Sequence, residues 1–349
     1  MQGKRLSKEI KIGKRTIGKG HPTYVIAEIG TNHNQDLNLA LDMISMVKET
    51  GADAAKFQSI QFSELYVESL ETKDFREWFR QIELEESWYE ALAKRCADEG
   101  IDFLSSPTYA PAVDLLEKVN VPAYKLASPQ VQANLKVVER AAQTMKPLIL
   151  SVGYCEYGDI QRAVNLCKSV GNDSLILLHC NSKYPVKAEE SNLLFIQTLA
   201  AMTNELTGYS DHSMGTHMSV AAVSLGACII EKHVTTDRNQ KGPDHPFAMT
   251  FREFKEMTEQ IREVQVGLGT GARLHLLPEE WESRRKVELK AVSRKAIKAG
   301  EILSDENMIF FRSAQKGVSI DQIELLKNTK SKQNIESGQL IQWKMLEHI

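Results

Sequence analysis

Cysteines that could pair are missing from this chain. Its five (Cys96, Cys155, Cys167, Cys180 and Cys228) are odd in number and show no CxxC spacing. A disulfide framework is excluded as the organising principle, and a reducing, cytoplasmic setting is expected. Cys180 and Cys228 fall inside apolar strand-like runs, where a thiol acts as a small hydrophobe. No apolar run is long enough to span a bilayer. The opening Met1-Gln2-Gly3-Lys4-Arg5 leads into charged residues with no apolar signal core, so no membrane partner is expected. Neither charge sign dominates: 43 Lys+Arg stand against 46 Asp+Glu, a formal net charge of -3. General attraction to nucleic acid is excluded, and any anion binding must come from a local pocket. A glycine-rich nucleotide fingerprint is absent too. The first strand-to-helix turn reads Ile29-Gly30-Thr31-Asn32-His33-Asn34, without GxGxxG, which argues against an open doubly wound sheet.

What is present is alternation. The 349 residues exceed one typical domain, and 42% hydrophobic with 26% charged residues is ordinary for a globular protein. Strand-like segments are expected at 24–29, 54–59, 102–107, 123–128, 147–151, 174–180, 206–211 and 228–233, several of them almost wholly apolar. Amphipathic stretches lie between them. In 37–50 Leu37, Leu41, Ile44 and Val47 share a face, and in 251–269 Phe254, Met257, Ile261 and Val264 do. Eight β-α units predict a (β/α)8 TIM barrel over residues 1–270, preceded by a β-hairpin within 9–20. Residues 271–290, rich in charge, read as a linker. Residues 291–349 read as a small β-rich domain, in which 295–301 and 334–339 echo each other as short strands closed by glycine turns.

A barrel of this kind places its chemistry at the C-terminal ends of its strands. Those ends carry Glu28, Lys56 with Gln58, Ser105 with Ser106, Lys125 with Ser128, Ser151, Ser182 with Tyr184, Ser210 with His212, and Glu231 with His233. Strands covered on both faces prefer apolar ends, so a polar residue at every end calls for a reason. A single buried lysine is most often a structural ion pair, and a lone histidine a satisfied core residue. Two lysines with several hydroxyls form a set that suits a phosphate and a carboxylate. His212 and His233, on consecutive strands, suit a metal. Two imidazoles without a third protein ligand do not close a zinc site, and fit an open, partly hydrated ion such as Mn²⁺ or Mg²⁺. Asp211 and Glu231 lie nearby, with Glu231 read as alternating out of the lumen relative to His233. Lys183, Lys232 and Lys241 read as solvated or structural. The Ser105-Ser106 hydroxyls could equally hold the turn.

At these residues the chain resembles the sialic acid synthase family. The matching stretches include Ile26-Ala27-Glu28-Ile29-Gly30-Thr31-Asn32-His33, Ala54-Ala55-Lys56-Phe57-Gln58 and Ala123-Tyr124-Lys125-Leu126-Ala127-Ser128. They continue in Leu178-His179-Cys180-Asn181-Ser182-Lys183-Tyr184-Pro185, Gly208-Tyr209-Ser210-Asp211-His212, Ile230-Glu231-Lys232-His233 and Gly242-Pro243-Asp244-His245. The C-terminal module resembles the antifreeze-like (SAF) domain that closes these enzymes. The resemblance implies condensation of phosphoenolpyruvate with N-acetylmannosamine or a related N-acetylated hexose, in a domain-swapped homodimer. It implies phosphoenolpyruvate contacts at Lys56, Ser106, Lys125, Ser128, Ser151, Ser182 and Ser210, and sugar contacts at Gln58, Gln130, Tyr184, Asp244 and Arg312. Glu28 becomes the catalytic carboxylate, and His212 and His233 the ligands of a divalent metal, Mn²⁺ ahead of Mg²⁺ or Co²⁺.

Two departures stand out. Gln130 occupies a position where the family commonly has glutamate, and the arginine pair near the C-terminal module comes early, at Arg284-Arg285. N-acetylneuraminate is the leading product, with legionaminic or pseudaminic acid as alternatives. A synthase acting on a sugar phosphate would want more basic residues than Arg312 at the sugar end. A non-catalytic carbohydrate-binding barrel is the reading from a different class, and Gln130 is its best support.

Overall fold

Residues 8–273 and 275–349 are described by a computed structural model. Two compact units divide the chain, one ending at Gly269 and the other running Thr270–Ile349.

The first unit opens with an antiparallel hairpin of β1 (Glu9–Ile12) and β2 (Arg15–Gly18). Eight parallel strands follow: β3 (Tyr24–Gly30), β4 (Ala54–Ser59), β5 (Asp102–Pro107), β6 (Tyr124–Leu126), β7 (Leu148–Ser151), β8 (Leu175–Cys180), β9 (Leu206–Asp211) and β10 (Ile229–Thr235). Hydrogen-bonded neighbours run β5-β4-β3-β10-β9-β8-β7-β6, with the short β11 (Met249–Thr250) attached to β10. The result is a nearly closed (β/α)8 barrel. At the seam between β5 and β6, the Ser106 hydroxyl donates to the Lys125 carbonyl at 2.9 Å. The sixth strand is shorter than the 123–128 segment predicts: Ser128 already opens the helix Ser128–Ala133, with Pro129 in its first turn.

Strand periodicity sorts the barrel into layers. One set of residues packs outward against the helices, among them Val25, Ala27, Ala55, Phe57, Leu126, Leu148 and Leu177. The opposite set fills the lumen. Its lower part is apolar, with Tyr24, Ile26, Ala54, Leu104, Ala123, Ile149, Ile176 and Ile229 packed on Ile10, Ile12 and Ile17 of the hairpin. The hairpin therefore plugs the N-terminal end of the barrel. Two residues further along six of these strands the same face turns polar: Glu28, Lys56, Ser106, Lys125, Ser151 and Glu231 are all buried there, while β8 keeps Leu178 at that level. The helices arise as their patterns predict. Leu37–Glu49 buries Ala40, Met43, Ile44 and Val47, and its N-cap Asp36 accepts from the Asn38 and Leu39 amides.

The second unit holds β12 (Leu289–Ser293) against β13 (Met308–Arg312), and β14 (Thr329–Ser331) against β15 (Leu346–His348). Its core gathers Ala291, Ile297, Leu303, Met308, Val318, Leu326, Ile335, Ile341, Met345 and Leu346. The echoing segments 295–301 and 334–339 are not strands as expected. Each contributes one bridging residue, Ile297 to Ile335, with reciprocal amide-carbonyl bonds of 2.9 and 2.8 Å, before the chain turns. The charged stretch expected as a linker contains the helix Pro278–Val287, in which Arg284 lies over the Trp281 ring.

Candidate active site

The polar lumen is organised around four buried charges. Lys56 stands 2.7 Å from Glu28 and 3.6 Å from Glu231, and Lys125 stands 3.3 Å from Glu231. Gln58 donates to Glu28 at 2.8 Å, and Ser210 donates to Glu231 at 2.9 Å. Burial dominates the Glu28 carboxyl and pushes it up to about 7, although Lys56 opposes the shift. Glu231 is equally buried, yet the Lys125 and Lys56 ammonium groups outweigh burial and hold it at about 2. Burial pulls Lys125 below the usual lysine value. At Lys56 burial is overcome by Glu231 and Glu28, and the value is raised. The two carboxyls are therefore driven apart by their surroundings. That pattern is the one an acid/base group beside a permanent charge requires.

Glu231 corrects the sequence reading, which turned it out of the lumen. Residues 231 and 233 are two apart on one strand, so they share a face, and both point inward. The signal was in the spacing. Asp211 goes the other way. Its carboxylate is taken up by Lys232, Ser213 and Ser219, so it does not join the histidines. Lys232 is buried rather than solvated, whereas Lys183 is exposed and paired with Glu190. Of the two serines ending β5, Ser105 bonds Ser59 at 2.8 Å, and Ser106 faces the Lys125 backbone.

The remaining predicted anion contacts converge beyond β6 and β7. The Gly153 amide donates to the Ser128 hydroxyl at 2.8 Å. A Cβ on Gly153 would meet Ser182 Oγ at 2.5 Å and Ser128 Oγ at 3.0 Å, so only glycine leaves these hydroxyls room. The Ser151 hydroxyl and the Gln130 carbonyl oxygen are buried without a hydrogen-bond partner. Unpaired buried polar atoms are costly, and their gathering at one mouth is the mark of a site built for a polar ligand.

His212 and His233 come together with ring centroids 5.6 Å apart. His212 Nδ1 lies 2.8 Å from the Asn181 carbonyl, which keeps a proton there. Although burial opposes it, Cys180 and this carbonyl raise the imidazole above its ordinary value, so Nε2 offers its lone pair once it gives up its own proton, as a bound metal would require. Burial pushes His233 down to about 4, so its imidazole is neutral at pH 7, and its Nδ1 has no hydrogen-bond partner. Both rings can therefore act as ligands. Among the described residues no group of three or more His, Cys, Asp or Glu side chains forms a ready-made metal cage. The donor set fits an ion whose remaining positions belong to water and substrate. Tyr184, half exposed, packs over His212 at 4.2 Å, and Phe247 closes against Tyr184 at 4.9 Å and His233 at 5.0 Å. Asp244 accepts from the Thr31 amide and hydroxyl and lies 3.9 Å from His233 Nδ1. Phe247 and Gly153 were not picked out in the sequence, Thr31 was given no role, and Cys180, read as a small hydrophobe, places its Sγ 3.9 Å from His212 Nδ1. Phe247 and Thr31 sit in loops that no strand pattern marks. Arg312 belongs to the second unit, exposed at the end of β13.

A (β/α)8 barrel with polar residues at the C-terminal ends of its strands defines the class, that of barrel enzymes whose chemistry sits at this mouth. Within that class the chain belongs to the NeuB family, whose model matches residues 43–273, followed by a SAF domain at residues 291–347. It is 39% identical to an uncharacterised protein of Methanocaldococcus jannaschii, over 96% of this chain and 98% of that one. It is 35% identical to the N,N'-diacetyllegionaminic acid synthase of Campylobacter jejuni, over 91% of this chain and 98% of the other. The crystal structure of an N-acetylneuraminic acid (sialic acid) synthetase from Leptospira borgpetersenii, in complex with citrate, matches with a TM-score of 0.73 and 34% identity. That match covers 80% of this chain and 96% of that one. Among the described residues no helix is long and apolar enough to cross a membrane.

Proposed function

We propose that this enzyme condenses phosphoenolpyruvate with an N-acetylated hexose and water, giving a nine-carbon 2-keto acid and phosphate. N-acetylmannosamine is the leading acceptor and N-acetylneuraminate the leading product. The observation that carries the reading is the single mouth in which two buried lysines, the unpartnered Ser151 hydroxyl and the histidine pair meet.

In this reading Lys56 and Lys125, with Ser106, Ser128, Ser151, Ser182 and Ser210, neutralise and orient the phosphate and carboxylate of phosphoenolpyruvate. His212 and His233 hold a divalent ion, with Mn²⁺ the preferred occupant. When bound, that ion supplies Lewis-acid polarisation of the acceptor's open-chain aldehyde. Gln58, Gln130, Tyr184, Asp244 and the SAF-domain Arg312 orient the sugar, with Arg312 supplied across a domain-swapped homodimer. The methylene carbon of phosphoenolpyruvate attacks the aldehyde carbon, and the aldehyde oxygen gains a proton. Water adds to the resulting oxocarbenium carbon and loses a proton, and the tetrahedral centre collapses by C–O cleavage to ketone and phosphate. Glu28, poised near neutrality, handles one of these protons.

Gln130 supports a second acceptor. An amide offers both a donor and an acceptor where a carboxylate only accepts, which suits a 2,4-diacetamido trideoxyhexose. The likeness to a legionaminic acid synthase favours the same choice, with pseudaminic acid the further alternative. Phosphate release is the test, measured with phosphoenolpyruvate and each acceptor in turn: N-acetylmannosamine, its 6-phosphate, and the 2,4-diacetamido trideoxyhexoses. Turnover with one unphosphorylated N-acetylated hexose is expected. Binding of phosphoenolpyruvate with no turnover on any acceptor would overturn the reading in favour of a non-catalytic barrel.

A further inference from the structure

Behind the wall that carries His212 and His233, a second polar cluster faces away from the lumen. Asp211 and Lys232 stand directly opposite one another in the β9–β10 ladder. Each is one residue out of phase with the inward-facing Ser210 and His212, or Glu231 and His233, so both side chains emerge on the helix side. Both are buried, at 1% and 2% exposure, and the Lys232 ammonium lies 2.7 Å from Asp211 Oδ2. The same ammonium donates to the Ser213 carbonyl at 2.5 Å. Asp211 Oδ1 accepts the Ser213 amide at 2.8 Å and its hydroxyl at 2.7 Å, and Oδ2 accepts the Ser219 hydroxyl at 2.6 Å.

Ser213 is thus gripped at its amide, its hydroxyl and its carbonyl by one ion pair, and the residue caught between Asp211 and Ser213 is His212. The His212 carbonyl is itself tied to the Val186 amide at 3.0 Å. A buried ion pair stabilises a fold no better than apolar side chains of similar volume, and most of the outer layer is apolar, with neutral polar groups such as Ser59, Ser105, His179 and Thr207 among it. What this pair provides is direction. It fixes the backbone on both sides of one histidine and ties it to the strand bearing the other.

We propose that Asp211 and Lys232 are positioning residues of the metal site, a clasp that sets the His212 imidazole at a fixed offset from His233. The proposal rests on the reading of these histidines as metal ligands. It predicts that the clasp sets metal affinity while contributing little to folding.

Isothermal titration of Mn²⁺ into chelator-stripped full-length protein tests it, with thermal unfolding measured on the same samples. The Asp211→Leu/Lys232→Met double variant removes both charges, so that neither is left buried alone, together with the acceptor that holds Ser213. It is expected to unfold within a few degrees of wild type and to bind Mn²⁺ about 10–100-fold more weakly, as for other groups that orient metal ligands. Lys232→Arg, which keeps the charge, should recover most of the affinity. A folded double variant that binds Mn²⁺ as tightly as wild type overturns the clasp alone. Should the double variant fail to fold, Ser219→Ala decides instead: it removes one hydrogen bond from Asp211 and leaves the ion pair intact. A several-fold loss of affinity is expected, and unchanged affinity overturns the proposal. Wild type that binds no Mn²⁺ overturns the metal reading beneath it, and the clasp with it.

Discussion

Glu28 and Lys56 face each other at 2.7 Å on neighbouring strands, both almost wholly buried, and the Glu28 carboxyl is nonetheless pushed up to about 7. An ordinary ion pair would pull a carboxyl down. Here burial prevails, because Lys56 is shared with Glu231, which lies 3.6 Å away and holds its own charge. The pair thus sets a carboxyl that titrates near neutrality beside a cation that stays charged.

Glu28 should therefore dominate the pH profile. An inflection near pH 7 in log kcat/KM is expected for wild type and should vanish in Glu28→Gln. A rising limb assigns the carboxylate to the attacking water, and a falling limb assigns the acid to the aldehyde oxygen. Stability follows the same group. Its folded pKa lies above the ordinary 4.5, so its stabilising contribution is present below that value and is lost as pH rises towards 7. Glu28→Gln should remove this part of the slope in denaturant unfolding measured from pH 4.5 to 7. A slope unchanged by the substitution would refute the shift.

Glu231 carries the opposite sign. Its folded pKa of about 2 lies below its ordinary 4.5, so its contribution is present above 4.5 and is lost as pH falls towards 2. Glu231→Gln leaves the Lys56 and Lys125 charges without their shared partner. It should destabilise by about 3–5 kcal/mol in urea unfolding. Phosphoenolpyruvate, which brings its own negative charge, should restore part of the loss. A variant as stable as wild type would show that the lysines do not depend on it.

Lys125→Met removes a charge-assisted contact from the proposed phosphoenolpyruvate site. Affinity measured by calorimetry should fall about 10–100-fold, matching about 1.5–3 kcal/mol for such a bond. Lys183→Met, at an exposed pair with Glu190, should leave it unchanged. Equal effects at both positions would place the anion elsewhere.

Gln130→Glu should alter the choice of acceptor and spare phosphoenolpyruvate. The ratio of kcat/KM for N-acetylmannosamine and for its 2,4-diacetamido trideoxy analogue is expected to shift at least about tenfold, the scale set by one buried polar contact. An unchanged ratio would remove Gln130 from the sugar site.

Most of the barrel was legible because period-two alternation and strand-end polarity are local signals. Strands β4, β5 and β9 begin and end where the pattern places them. The short β6 was overestimated, since Ala127-Ser128-Pro129 turns at once into a helix. In the second unit, 297 and 335 were seen as related but misread as strands, because one reciprocal bridge gives the same local apolar pattern as a ladder. The inward set was legible by residue type. Its charge logic was not, because it needed Glu231 on the correct face and the 3.3–3.6 Å contacts that only the closed ring creates. Phe247 and Thr31 reach the mouth from loops, where alternation says nothing about direction.

Condensation as proposed depends on an ion held by His212 and His233. Phosphate release from phosphoenolpyruvate and the preferred acceptor, by chelator-stripped enzyme before and after addition of Mn²⁺, tests that dependence most directly. No release is expected from the stripped enzyme, with restoration by about one equivalent of Mn²⁺ per chain and no restoration in His212→Ala or His233→Ala. Full turnover by the stripped enzyme, or Mn²⁺-dependent turnover that survives loss of both histidines, would contradict it.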